Sequence, residues 1–68
     1  MVNRLKEKRK EMKITQQKLA NLIDISISHY TNIERSDNIP SVEIALKIAK
    51  ELSCNVEDIF ALDKKEWN

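Results

Sequence analysis

A small all-α fold, a compact bundle of four to five short helices, is what this 68-residue chain predicts. Three observations carry that expectation. The chain has no glycine and a single proline, which removes the residues that tight β-hairpins draw on. Apolar side chains recur at i, i+3 and i+4 in several separate stretches, the spacing that lines one side of a helix. Residues that cap helices stand ahead of those stretches, among them Thr15, Ser26 and Asn55. At this length there is one domain, residues 1–68, near the lower limit for a core that folds unaided. Oligomerisation would add to its stability.

The first helix is expected over Asn3 to Met12, with Leu5 and Met12 on one face, Val2 at its margin and Arg9 at its edge. Lys6, Lys10 and Lys13 form a separate basic stripe, while Arg4 and Lys8 can pair with Glu7 and Glu11. Thr15 caps a second helix, Gln16 to Ile23, whose apolar side is Leu19, Leu22 and Ile23 with Ala20 among them. After the three-residue turn Asp24-Ile25-Ser26, Ser26 caps a third helix, Ile27 to Arg35, with Tyr30 and Ile33 inward. Asp24 must tolerate a positive φ in that turn, where glycine would be easier. Ile25 covers the core behind it. Pro40 pre-sets the start of a fourth helix, Ser41 to Leu52, whose core face is Val42, Ala45, Ile48, Ala49 and Leu52. Asn55 and Asp58 have capping-box spacing ahead of a short fifth helix, Val56 to Phe60. The tail, residues 61–68, has no helical period and leaves room for a short β-strand formed by the two termini, beside Met1-Val2.

Charge is segregated although the net value is only +1. Residues 1–18 carry seven basic side chains (Arg4, Lys6, Lys8, Arg9, Lys10, Lys13, Lys18) against Glu7 and Glu11, whereas residues 37–68 are net acidic. One basic end suits a polyanionic partner on that side. No apolar run is long enough to cross a bilayer, and Met1-Val2 leads straight into charges, so no membrane association and a cytoplasmic location are expected. The single Cys54 fits a reducing compartment. With one histidine, His29, and no cysteine near it, no metal site is expected. No cofactor and no small-molecule substrate are expected either. There is no glycine-rich phosphate loop, no Ser/His/Asp grouping and no isolated carboxylate pair, so the chain is expected not to be an enzyme.

With Tyr30 and Ile33 inward, Ile27, Ser28, His29, Thr31 and Asn32 face outwards near the start of the third helix. Short polar groups and one aliphatic tip there suit base edges in a DNA major groove. The stretches RLKEKRKEMKITQQKLA, LIDIS, NIER and PSVEIALKIAKELSCNVEDIF, from about Leu5 to Phe60, together resemble the Cro/C1-type helix-turn-helix (XRE, lambda-repressor-like) transcription regulators. The overall length and acidic, Trp-containing tail look most like the short stand-alone dimeric repressors of that family. The resemblance implies a lambda-repressor-like bundle with its helix-turn-helix at residues 16–35, acting as a transcriptional repressor on a palindromic double-stranded DNA operator. It implies base contacts from Ile27, Ser28, Thr31 and Asn32, with His29 beside them, and phosphate contacts from Thr15, Gln16, Arg35 and Asn38, joined by Lys10 and Lys13 of the basic stripe, with Gln16 also bracing the reading helix. It also implies an ion pair between Arg9 and Glu34 linking the first and third helices. Two positions depart from the family's habit: Ile27 stands where a hydrogen-bonding residue is common, and Asp24 where glycine is usual.

Val56, Ile59, Phe60, Leu62 and Trp67 crowd the last thirteen residues, more apolar side chains than one short helix easily buries. They are the expected interface of a homodimer, with the tail, residues 61–68, as its dimerisation element. The rival reading from another class is a protein-interaction module such as an antitoxin or antirepressor, using an Ile44/Phe60/Trp67 surface. The basic segment favours DNA.

Overall fold

The computed structural model describes residues 1–63 and residue 65. Its elements run β1 (Val2–Asn3), α1 (Leu5–Glu11), α2 (Gln16–Leu22), α3 (Ile27–Glu34), α4 (Val42–Glu51), α5 (Val56–Ile59) and β2 (Phe60–Ala61).

The starts of α2 to α5 are each built from a short polar side chain. The hydroxyls of Thr15, Ser26 and Ser41 accept the backbone N–H groups of Lys18, His29 and Ile44 at 3.1, 3.1 and 3.2 Å. Each satisfies one of the donors that a helix leaves unpaired at its first turn. Before α5 the Asp58 carboxylate accepts the Asn55 backbone N–H at 3.0 Å, the reach-back half of a capping box.

The ends of α1 to α4 share one device. Lys13, Asp24, Ser36 and Ser53 all take left-handed backbone, at φ 57°, 60°, 66° and 54°. The next residue then turns its N–H back to a carbonyl five residues earlier: Ile14 to Arg9, Ile25 to Ala20, Asp37 to Asn32 and Cys54 to Ala49. This is the Schellman closure, made four times without a glycine. Three of the returning residues, Ile14, Ile25 and Cys54, then lay partly buried side chains on the core. The turn between α2 and α3 is therefore fixed both by hydrogen bonds and by Ile25 packing. Asp24 has the positive φ expected of it.

The core comprises Leu5, Leu19, Ala20, Ile23, Tyr30, Ile33, Ala45, Ile48, Ala49, Leu52, Ile59 and Phe60. Three expected core residues are instead exposed: Met12 at 44%, Leu22 at 47% and Val42 at 77%. Met12 is the C-cap of α1, and Arg9 takes the inward place one turn before it. On α2, Leu19, Ala20 and Ile23 fill the buried arc and leave Leu22 beyond its edge. Val42 is the first residue of α4, on the margin of the arc that Ala45, Ile48 and Ala49 bury.

The N-terminal correction is larger. Val2 and Asn3 do not extend α1; they pair antiparallel with β2, Val2 opposite Ala61 and Asn3 opposite Phe60. The Arg4 N–H continues the ladder to the Ile59 carbonyl at 2.7 Å. The short strand joining the two ends of the chain is thus present. It places Asn3 where its side-chain amide donates to the Ile33 carbonyl at 2.8 Å and to the Ser36 hydroxyl at 3.1 Å. That tie to the end of α3 has no signature in the sequence.

Candidate nucleic-acid interface

The site is α3, and its orientation rests on one carboxylate. Glu34 has a side chain only 3% exposed, against 10% for Arg9. Arg9 donates through Nε to Glu34 Oε2 at 3.0 Å and through Nη2 to Oε1 at 3.2 Å, a bidentate pair that joins α1 to α3. Its Nη1 donates to the Ile14 carbonyl at 2.8 Å, fastening the turn into α2. The Tyr30 hydroxyl donates to Glu34 Oε2 at 2.6 Å, and Gln16 Nε2 donates to Oε1 at 3.0 Å. One carboxylate therefore holds α1, the start of α2 and α3 in fixed relation.

The protonation equilibria follow from this geometry. Burial pushes the Glu34 carboxyl up, but hydrogen bonds from Arg9, Tyr30 and Gln16 outweigh it and hold the group below its usual value. The hydrogen bond to Glu34 raises the Arg9 pKa against the opposing effect of burial. Burial, then the bond to Glu34, pushes the Tyr30 phenol well above its ordinary value. The cluster keeps one fixed charge state through neutral pH. The Arg9–Glu34 pair matches the expected one, and Gln16 braces α3 as the resemblance implies, whereas the Tyr30 hydroxyl bond is not foreseen. The helical period places Tyr30 in the core and gives no role to its hydroxyl. The signal was available in the i, i+4 spacing of Tyr30 and Glu34.

The opposite side of α3 is different. Ile27 and Ser28 are exposed, and His29, Thr31 and Asn32 are half-buried. Among the described residues, the side chains of Ser28, His29 and Asn32 make no hydrogen bond within the chain. Thr31 differs, because its hydroxyl donates to the Ile27 carbonyl at 2.7 Å. Its proton is already used, so the hydroxyl keeps only acceptor capacity beside the side chain's methyl group.

Around this helix lie the expected phosphate ligands. Thr15 is exposed, but its hydroxyl caps α2. Gln16 keeps one amide hydrogen beyond the one given to Glu34. Lys10, Lys13 and Asn38 are exposed. Arg35 is exposed and pairs with Asp37 at 3.3 Å, a surface pair that a phosphate can replace.

The residues expected to form a dimer interface divide. Ile59 and Phe60, at 1% and 8% exposure, belong to the core of the single chain, because β2 seals its end. That corrects the premise that the domain cannot bury them. Val56 is half-buried, Leu62 is exposed, and Trp67 lies outside the described residues. The rival interaction surface loses Phe60 for the same reason, and Ile44 is partly buried against the core. No helix among the described residues is long and apolar enough to cross a membrane.

Comparison with known proteins follows the same lines. The chain matches the family described as Helix-turn-helix over residues 5–59. It is 35% identical over 65 residues to an uncharacterized HTH-type transcriptional regulator of Bacillus subtilis, YgzD, covering 96% of this chain and 98% of that protein. It is 36% identical over 66 residues to an uncharacterized HTH-type transcriptional regulator of Methanocaldococcus jannaschii, covering 97% and 100% of the two chains. Among solved structures it is similar to the P22 c2 repressor protein in complex with a synthetic operator. The TM-score is 0.79 at 30% identity, covering 88% of this chain and 91% of that one.

Proposed function

The chain belongs to the helix-turn-helix family of Cro/C1 type, and from that premise we propose that it is a sequence-specific transcriptional repressor that binds a palindromic operator as a homodimer. The observation that carries the proposal is the divided condition of α3. One side is clamped through Glu34, and the other offers Ser28, His29 and Asn32 without side-chain partners among the described residues. Rigid presentation of uncommitted polar groups is what base readout needs, because edge recognition depends on placement within a fraction of an ångström.

In this reading α3 enters the major groove. Asn32 pairs with a base edge, Ser28 and His29 make adjustable contacts, and Ile27 with the Thr31 methyl meets thymine methyl groups. Gln16 spans two roles, bracing Glu34 with one amide hydrogen and meeting a phosphate with the other. Lys10, Lys13, Thr15, Arg35 and Asn38 line the flanking backbone. The P22 c2 repressor, similar in fold and in complex with a synthetic operator, supports this placement of α3.

Selection of bound duplexes from a random DNA pool tests the proposal. An inverted repeat with half-sites about one helical turn apart is the expected result. Recovery of no common sequence, with binding that vanishes as salt rises, would reduce the activity to non-specific attraction.

A further inference from the structure

Exposed apolar side chains are unevenly placed on this domain. The three most exposed large ones among the described residues are Ile39 at 81%, Val42 at 77% and Leu46 at 57%. Val42 and Leu46 stand one turn apart on α4, on the shoulder beside buried Ala45 and Ala49. Ile39 lies in the connection that leads into that turn. The stripe is narrow, a single ridge of α4 beside the core face.

The polar residues beside the stripe describe its partner. Next to Leu46, away from the core, come Glu43 in the first turn of α4 and Lys50 in its last, both exposed and on one side of the helix. Glu43 pairs with Lys47 at 3.5 Å, while Lys50 has no ion pair among the described residues. An acid at one end and a base at the other, framing an apolar centre, is a pattern that complements itself when the helix is turned end for end. A two-fold contact requires that property, since the same patch must serve on both sides. A lipid surface would match neither the acid nor the narrowness of the stripe.

We propose that this face of α4 docks a second copy of the chain, α4 against antiparallel α4, about a two-fold axis near Leu46. Leu46 meets its own counterpart, Val42 and Ile39 are covered, and Glu43 of each copy lies against Lys50 of the other. The interface is distinct from the β2 end, where Ile59 and Phe60 are already used. It also lies one connection away from the end of α3, so a two-fold axis there carries two reading helices. That last consequence rests on the operator reading above; the dimer itself does not.

Sedimentation equilibrium of the full chain without DNA tests the contact. Leu46→Glu buries an unpaired charge at the axis and is expected to weaken association by about 100-fold, with helix content by circular dichroism unchanged. Glu43→Lys and Lys50→Glu are each expected to weaken association, and the double reversal to restore it. A chain that stays monomeric at all concentrations would overturn the proposal. So would Leu46→Glu associating like the wild type, a double reversal no better than either single change, or loss of the dimer on Leu62→Glu alone. A salt-dependent shift of duplex DNA by the Leu46→Glu monomer would show that DNA binding stands whatever becomes of the dimer.

Discussion

The two sides of α3 hold polar side chains in opposite conditions. Inward, Glu34 accepts from Arg9, Tyr30 and Gln16, so one buried carboxylate is satisfied by three side chains from three helices. Outward, the side chains of Ser28, His29 and Asn32 have no hydrogen-bond partner among the described residues. Buried polar groups must be paired, because an unpaired one costs its full desolvation. Solvated groups carry no such penalty and can wait for a ligand. The same helix thus uses polarity once to fix position and once to keep contacts available, and the first use makes the second specific.

Breaking the inner side has the largest expected effect. Glu34→Ala strands the Arg9 guanidinium and leaves the Tyr30 hydroxyl and Gln16 amide without their acceptor, so it should destabilise the fold by about 3 kcal/mol. Urea denaturation measures this, and a loss below about 1 kcal/mol would mean the cluster is readily replaced by water. Acid probes the same group more gently. Because the folded carboxyl is held below its ordinary value of 4.5, the unfolded chain takes up the proton first as pH falls. The stability that Glu34 contributes is complete above the ordinary value and is lost as pH drops through the lower, folded one. A Glu34→Gln variant should therefore show a flatter acid limb than the wild type. Parallel limbs would assign the acid sensitivity to other carboxylates.

What could be read in advance follows the same division. Helix order and the capping residues are legible because spacing and residue type are local signals, whereas the Arg9–Glu34 pair, 25 positions apart, is legible only through the family resemblance. Exposure of Met12, Leu22 and Val42 is not, because periodicity names a face but not where the neighbouring element stops covering it. Positive φ at Lys13, Ser36 and Ser53 is equally silent, since nothing in those side chains announces the left-handed turn that glycine usually marks. Asn3 escapes for a further reason. Its partners are contributed by residues 30 and 33 positions away, and only the strand pairing with β2 brings it there.

On the outer side the effects move from stability to binding. Asn32→Ala should weaken binding to the selected operator by about 1–3 kcal/mol and leave random duplex DNA and the melting temperature nearly unchanged. Equal losses on both DNAs would remove Asn32 from readout. Lys10→Gln or Lys13→Gln should act on every sequence alike and lower the salt slope of binding by about one unit. If the slope is unaltered, that stripe faces solvent in the complex.

The smallest expected effect separates two halves of one side chain. The Thr31 hydroxyl gives its proton to the Ile27 carbonyl at 2.7 Å, so it can donate to a base only by breaking that bond. Such a bond contributes little to the helix, whose own backbone hydrogen bonds already serve the carbonyls. Thr31→Val keeps the branched shape and the methyl group and removes only the hydroxyl. It should change stability and operator affinity each by less than about 0.5 kcal/mol. Thr31→Ser retains the hydroxyl and loses the methyl, so if a thymine methyl is the contact, it should be the weaker binder of the two. The comparison sharpens further on an operator in which deoxyuridine replaces thymidine. There the advantage of threonine over serine should disappear, because the methyl on the DNA side is gone. A Thr31→Val variant that loses more affinity than Thr31→Ser would instead place the hydroxyl at a base edge, with its hydrogen bond to Ile27 given up on binding.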